Sequence, residues 1–308
     1  MRKLLFPFGF SVFGLVALLA QNSLKNDSGT VPVQMIVTAE ARQGKDVPAL
    51  NQGDVGVYEQ KNRLKVDDLI PLQNGNAALD LFLLLDDASA TSLGSQLSDL
   101  RKFIQGQPAT AQIGIGYMRN GTFDMTQNFT ADHNSAGAKL RLPIGASALA
   151  SPYLSLSDLI KRWPGHSARR EVIMVSSGID PLGGTGSIDP YLDSAIADAQ
   201  RAGVIVYTIF SPATGHSGHD FFRLNWGQNY LAQLSEETGG ESYMLGFSTP
   251  VAFGPYLDEI AEHLQHQYRL TFRTKPEKKG EWRSVRLSTE VPNADLVAAT
   301  KVYVPAVQ

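Results

Sequence analysis

The sequence predicts an α/β protein: a doubly wound, mostly parallel sheet with one antiparallel edge strand, inserted in a small β-sandwich. Three observations predict it. Between residues 79 and 266, short apolar runs alternate with segments of helical period, the order expected of a parallel sheet covered on both faces. Several of those runs, such as "LFLLLDD" and "EVIMVSSG", are unbroken, as suits strands buried on both sides. The flanking segments, 31–73 and 267–304, read as β but are each too small to fold alone, so one shared unit is the economical arrangement.

The 308 residues are 43% apolar and 19% charged, enough to bury a core and unlike a disordered polymer. The net charge of −3 and the lack of a long basic run argue against a nucleic-acid partner. "MRKLLFPFGFSVFGLVALLAQNS" places two cations before an apolar stretch from Leu4 to Ala20, and Leu18 and Ala20 suit the −3 and −1 positions of a cleavage site. The expectation is a signal peptide over 1–20, export to the periplasm, envelope or outside, and no membrane span in the mature chain. An uncleaved anchor is the alternative. No cysteine is present, so no disulfide and no cysteine-linked lipid is available. Sequons at Asn26, Asn120 and Asn128 read as chance matches in polar loops.

A polar linker, 21–30, precedes the first β segment, in which Val33, Met35 and Val37 alternate with Gln34, Ile36 and Thr38, an imperfect period of two. "VGVYEQKNRLKVDDLIPL" adds two short strands. After the "QNGNAA" junction comes strand "LDLFLLLDD", then helix "LGSQLSDLRKFIQG" with Leu97, Leu100 and Ile104 on one face. "AQIGIGYMRN" and "TFDMTQNFT" form a hairpin about Asn120-Gly121, which supplies the antiparallel edge. A helical stretch around 138–142 and helix "YLSLSDLIKRW" precede the buried strand "EVIMVSSG". Helix "PYLDSAIADAQRAG" has Pro190 near its start and Gly203 at its stop. Strand "VIVYTIFS", helix "NYLAQLSEETGG", strand "ESYMLGF" and helix "PYLDEIAEHLQHQ" close the region, and the tail returns to β.

This order of elements resembles the von Willebrand factor A (VWA) fold over residues 79–266. "LNQGDVGVYEQKNRLKVDDLIPL", "SLGSQLSDLRKFI", "GIGYMRN" and "LAQLSEETGGESYMLGF" are similar to the bacterial exported VWFA-related proteins. The resemblance implies a VWA/Rossmann-like sheet and a protein-binding or adhesion role. It also implies a metal-ion-dependent adhesion site at the carboxyl ends of the strands, with the pattern Asp-x-Ser-x-Ser, a later Thr, and Asp within Thr-Asp-Gly. Here the pattern is degenerate. With Asp86 as first carboxylate the hydroxyl positions hold Ala88 and Ala90; with Asp87 first, Ser89 and Thr91 satisfy the spacing. Ser151 stands for the later Thr, Ser177 for the closing carboxylate, and Asp180 substitutes only if its loop bends back. Replacing a charged ligand by a hydroxyl predicts weak binding of Mg²⁺ or another divalent cation, and no other cofactor is expected. The competing reading has Asp86 and Asp87 capping the following turn.

"SPATGHSGHDFFRLNWGQN", 211–229, reads as a loop at the same sheet edge. His216, His219 and Asp220 have a spacing a metal could use, and Phe221, Phe222 and Trp226 are candidate anchors for a protein partner. His263 and His266 lack a third ligand and read as a helix face. No nucleophile elbow, phosphate loop or zinc-helix motif occurs. The expected function is therefore an exported, non-enzymatic adhesion module whose protein partner docks at the carboxyl edge of the sheet. An envelope structural or assembly factor without metal dependence is the alternative, and a hydrolase using the 211–229 loop is a third.

Overall fold

A computed structural model describes residues 29–306, apart from 45, 146–147, 166–167, 184–187 and 215–219. The expected signal and most of the linker lie outside the described residues. In chain order the strands and helices are β1 (Val31–Ala41), β2 (Val55–Glu59), β3 (Asn62–Pro71), β4 (Leu79–Asp86), α1 (Leu97–Gln105), β5 (Ala111–Arg119), β6 (Thr122–Thr130), α2 (His133–Ala138) and α3 (Pro152–Lys161). They continue as β7 (Arg169–Ser176), α4 (Leu192–Ala202), β8 (Val204–Phe210), α5 (Phe221–Thr238), β9 (Ser242–Tyr243), α6 (Gly254–Gln265), β10 (Gln267–Thr274), β11 (Glu281–Ser284), β12 (Arg286–Thr289), β13 (Ala294–Ala298) and β14 (Lys301–Val304).

The α/β region is one six-stranded sheet of order β6-β5-β4-β7-β8-β9. Every neighbouring pair is parallel except β5 with β6, which is the hairpin predicted at Asn120-Gly121. Counted within the region this is the doubly wound order 3-2-1-4-5-6. Its switch point falls between β4 and β7, where the chain leaves in opposite directions. All eight residues of β4 are buried. Leu81, Leu83 and Leu85 pack with α1 and α6, while Phe82 and Leu84 pack with α3, α4 and α5, so a period of two feeds two separate cores.

Three elements differ from expectation. The helix after β4 opens as a tight 3-10 turn, Thr91–Gln96, and becomes α-helical only at Leu97. The helix expected around 138–142 lies earlier, where Asp132 caps α2 by accepting from the Ser135 amide. α5 begins at Phe221, so the second half of the expected 211–229 loop is helical. Asp220 is its cap and accepts from the Phe222 and Arg223 amides. Gly227, which argues against a helix in the sequence, is there for space. A Cβ on it would stand 2.2 Å from the Ser177 carbonyl oxygen, and one on Gly178 would stand 2.2 Å from the Gly227 oxygen.

The flanking segments pair with each other. β1 runs antiparallel to β10 from Val31↔Thr274 to Thr38↔Gln267, and β10 pairs on its other side with β3. With β2, β12 and β13 they make a six-stranded antiparallel sheet, accompanied by a two-stranded ribbon of β11 and β14. Val33, Met35, Val37, Leu270, Phe272 and Val304 share its core. Ile36, the residue that spoils the alternation of β1, packs instead against the core beneath the parallel sheet.

Candidate functional site

At the carboxyl ends of the parallel strands, hereafter the upper edge, five connections meet. The Ala90 amide donates to the Pro212 carbonyl, Thr214 to Ala88, Gly145 to Asp87 and Ser211 to Ser176, while Ser89 bridges to Ala213. The loops after β4, α2, β7 and β8 are thus sewn to one another around the switch point.

Asp86 and Asp87 leave β4 in different directions. Asp86 is buried; its Oδ1 accepts from the Ala88 amide at 2.8 Å and its Oδ2 from the Ser176 hydroxyl at 2.9 Å. Burial raises its pKa from 3.8 to about 6, against the pull of those hydrogen bonds and that of the Ser177 backbone. Asp87 is also fully enclosed, but both of its oxygens go to one cation. Arg141 Nη1 and Nη2 donate to Oδ1 and Oδ2 at 2.6 and 2.9 Å, and the Ile144 amide adds a bond of 3.1 Å. The guanidinium lies 3.8 Å above the centre of the Tyr117 ring. The Tyr117 hydroxyl donates to the Arg141 carbonyl at 2.7 Å and accepts from its amide.

Of the other sequence-predicted residues, Ser151 and Asp180 meet: the loop after β7 bends back and the Ser151 hydroxyl donates to Asp180 Oδ2. Asp180 Oδ1 accepts from the Leu182 and Gly183 amides, and burial raises its pKa. Among the described residues no hydrogen bond or ion pair joins this couple to Asp86. Ser177 is buried and its hydroxyl accepts from the Ile179 amide at 3.3 Å. Ser89 is buried with no partner for its hydroxyl among the described residues, and Thr91 faces solvent. His216 and His219 lie outside the described residues. Phe221 and Trp226 stand on α5 rather than on a loop; Phe221 is exposed and Trp226 half-buried.

The residues do not fit a hard divalent cation held tightly. Such an ion wants several oxygens free to turn toward it. Here each carboxylate oxygen of Asp86, Asp87 and Asp180 is already taken by a donor of the protein, and the strongest donor is itself a cation. The missed element is Arg141, 54 residues beyond Asp87. No spacing rule in the sequence points to so distant a partner. Around this neutralised centre the upper edge carries exposed apolar side chains. Leu142 and Ile144 flank the Arg141 loop, Leu182 follows Asp180, Phe221 and Phe222 open α5, and Val251, 91% exposed, precedes α6.

No protein-family model matches the sequence, and no curated protein matches it. Solved structures of similar fold do exist. An aerotolerance-related membrane protein from Bacteroides fragilis is 13% identical, with 60% of this chain and 98% of that one covered and a TM-score of 0.46. A von Willebrand factor type A protein from Catenulispora acidiphila is 9% identical, with 92% and 75% covered and a TM-score of 0.45. The pilus adhesin SpaC from Lactobacillus rhamnosus GG is 9% identical, with 76% and 45% covered and a TM-score of 0.45. The resemblance drawn from the sequence is thus met again among VWA structures. It carries no residue's role across.

Proposed function

We propose that the chain is an exported VWA-like binding or adhesion module that grips a protein partner at the upper edge of its parallel sheet without a divalent cation. One observation carries this reading: the centre of that edge is closed by the Arg141–Asp87 ion pair and ringed by exposed apolar side chains. Exposed apolar side chains at one edge suit contact with another protein, and large aromatics such as Phe221 and Phe222, which touch each other, suit its anchor points. An adhesion site of full pattern would use its ion to capture a carboxylate of the partner; here the positive charge of Arg141 already sits beside Asp87. The reading assigns no catalysis, because the carboxylates of the edge are engaged in internal bonds. Export rests on the apolar stretch from Leu4 to Ala20, and secreted protein should begin near Gln21.

The test is capture of envelope proteins on immobilised mature chain, with and without EDTA, beside a Phe222→Ser/Val251→Asp variant. Capture that survives EDTA and is lost in the variant is the expected result. Capture abolished by EDTA, or equal in the variant, overturns the reading.

A further inference from the structure

At the opposite end of the parallel sheet, where the β unit abuts it, a second group of side chains converges. Glu259 and His263 lie one helical turn apart on α6, an i, i+4 spacing that puts both on one face. Glu241 comes from the residue before β9, and Glu40 from the end of β1. One ligand atom from each of Glu241, Glu259 and His263 falls within 4.8 Å of the other two. His263 Nε2 lies 3.5 Å from Glu40 Oε1 and 4.0 Å from Glu241 Oε2. His263 is buried, its side chain 10% exposed, and the imidazole makes no hydrogen bond among the described residues. Glu40, Glu259 and His263 border a cavity of about 530 Å³ between β1 and α6.

We propose that Glu241, Glu259 and His263, with Glu40 beside them, form a binding site for a first-row divalent cation, Zn²⁺ or Mn²⁺, at the seam between the parallel sheet and the β unit. The separations support an ion better than direct bonding. Ligand atoms each roughly 2.1 Å from a shared ion stand about 3–3.5 Å apart in octahedral or tetrahedral geometry, and the separations of 3.5 and 4.0 Å about His263 would have to close slightly to reach it. The imidazole, a donor Mg²⁺ takes poorly, favours a borderline ion over Mg²⁺ beside the two or three carboxylates. Among the described residues the only basic group paired with them is His263. A supporting shell is present too: the Tyr243 hydroxyl donates to Glu241 at 3.3 Å, and the Tyr207 ring packs 6.0 Å from the imidazole.

This site lies at the far end of the sheet from the proposed docking edge, so the two readings fail separately. The experiment is calorimetric titration of the mature chain with Zn²⁺, Mn²⁺ and Mg²⁺. One equivalent of Zn²⁺ or Mn²⁺ should bind and Mg²⁺ should not. Glu259→Gln, at an exposed position that does not threaten folding, and His263→Asn should each weaken binding by at least about tenfold. Asp86→Asn, at the other edge, should change nothing. Absence of saturable Zn²⁺ or Mn²⁺ binding, or binding that survives Glu259→Gln, or binding lost on Asp86→Asn, overturns the proposal.

Discussion

Arg141 grips Asp87 with both arms of its guanidinium, and the carboxylate it holds is wholly removed from solvent while the arginine is 37% exposed. Removing the cation would leave a buried charge with a single amide donor. Arg141→Ala should therefore lower unfolding stability by about 3 kcal/mol, read by urea denaturation. Arg141→Met with Asp87→Leu should recover most of that loss, because an apolar pair of similar volume avoids the desolvation of both ions. A single substitution that costs nothing would show the pair to be ornamental.

Ser177 occupies the place where the adhesion-site pattern has its closing carboxylate, and its backbone already touches Asp86. Ser177→Asp sets a second buried anion beside the first. Without metal its melting temperature should fall below that of the natural chain. With millimolar Mg²⁺ it should rise again, whereas the natural chain should not respond. Thermal melts with and without Mg²⁺ decide it, and a variant indifferent to Mg²⁺ would remove the adhesion-site geometry from consideration.

Two buried carboxyls, Asp86 and Glu171, and the half-buried Glu40 bind protons more tightly in the folded chain than in the unfolded one. Asp86 is raised from 3.8 to about 6, and Glu171 and Glu40 from 4.5 to about 7, chiefly by burial. The folded state therefore holds the extra protons. Their contribution to stability is complete below about pH 4 and is lost as the pH rises through about 6 and then 7. Stability should thus decline between about pH 4 and pH 7. Glu171, fully enclosed on β7, where burial outweighs the pull of Arg169 and Gln267, should dominate. Glu171→Gln should flatten the decline and add on the order of 2–3 kcal/mol at pH 7.5. Denaturant titrations across that range measure it.

The two regions of the chain should separate asymmetrically. A fragment of residues 79–266 should fold, since its sheet keeps all of its strands and both of its cores. Deleting residues 29–73 from the full chain should leave β10 without its partners on either side and yield insoluble protein. Limited proteolysis that released a stable fragment ending near residue 75 would contradict this.

What could be read in advance depended on how local the cause was. β4 announces itself because five consecutive apolar residues, Leu81 to Leu85, stand between Asp80 and Asp86. The parallel sheet followed from the alternation of strands and helices, and its antiparallel edge from the Asn120-Gly121 turn. The start of α5 was missed although Asp220 is an ordinary cap, because Gly227 sits in the helix interior and its reason, the Ser177 carbonyl, comes from another loop. Arg141 was missed for the same kind of cause: its partner lies across the fold. Glu259 and His263 are visible together as a helical pair, but Glu241 and Glu40 reach them only through the tertiary structure.

The two links between the parallel sheet and the β unit leave from one end. β3 delivers the chain at Pro71 and β10 receives it at Gln267, and Pro71 is registered beside Tyr268. The start of β1 lies at the other end, with Val31 beside Thr274. A partner tugging on the upper edge, against a chain held by its N terminus, therefore draws β1 and β10 along their lengths in opposite directions. Their hydrogen bonds run across that line of force, so the eight registered pairs share the load instead of peeling one by one. Single-molecule stretching between these points should show one high-force rupture: the β unit is built as a shear clamp, a mechanical anchor for whatever the upper edge holds.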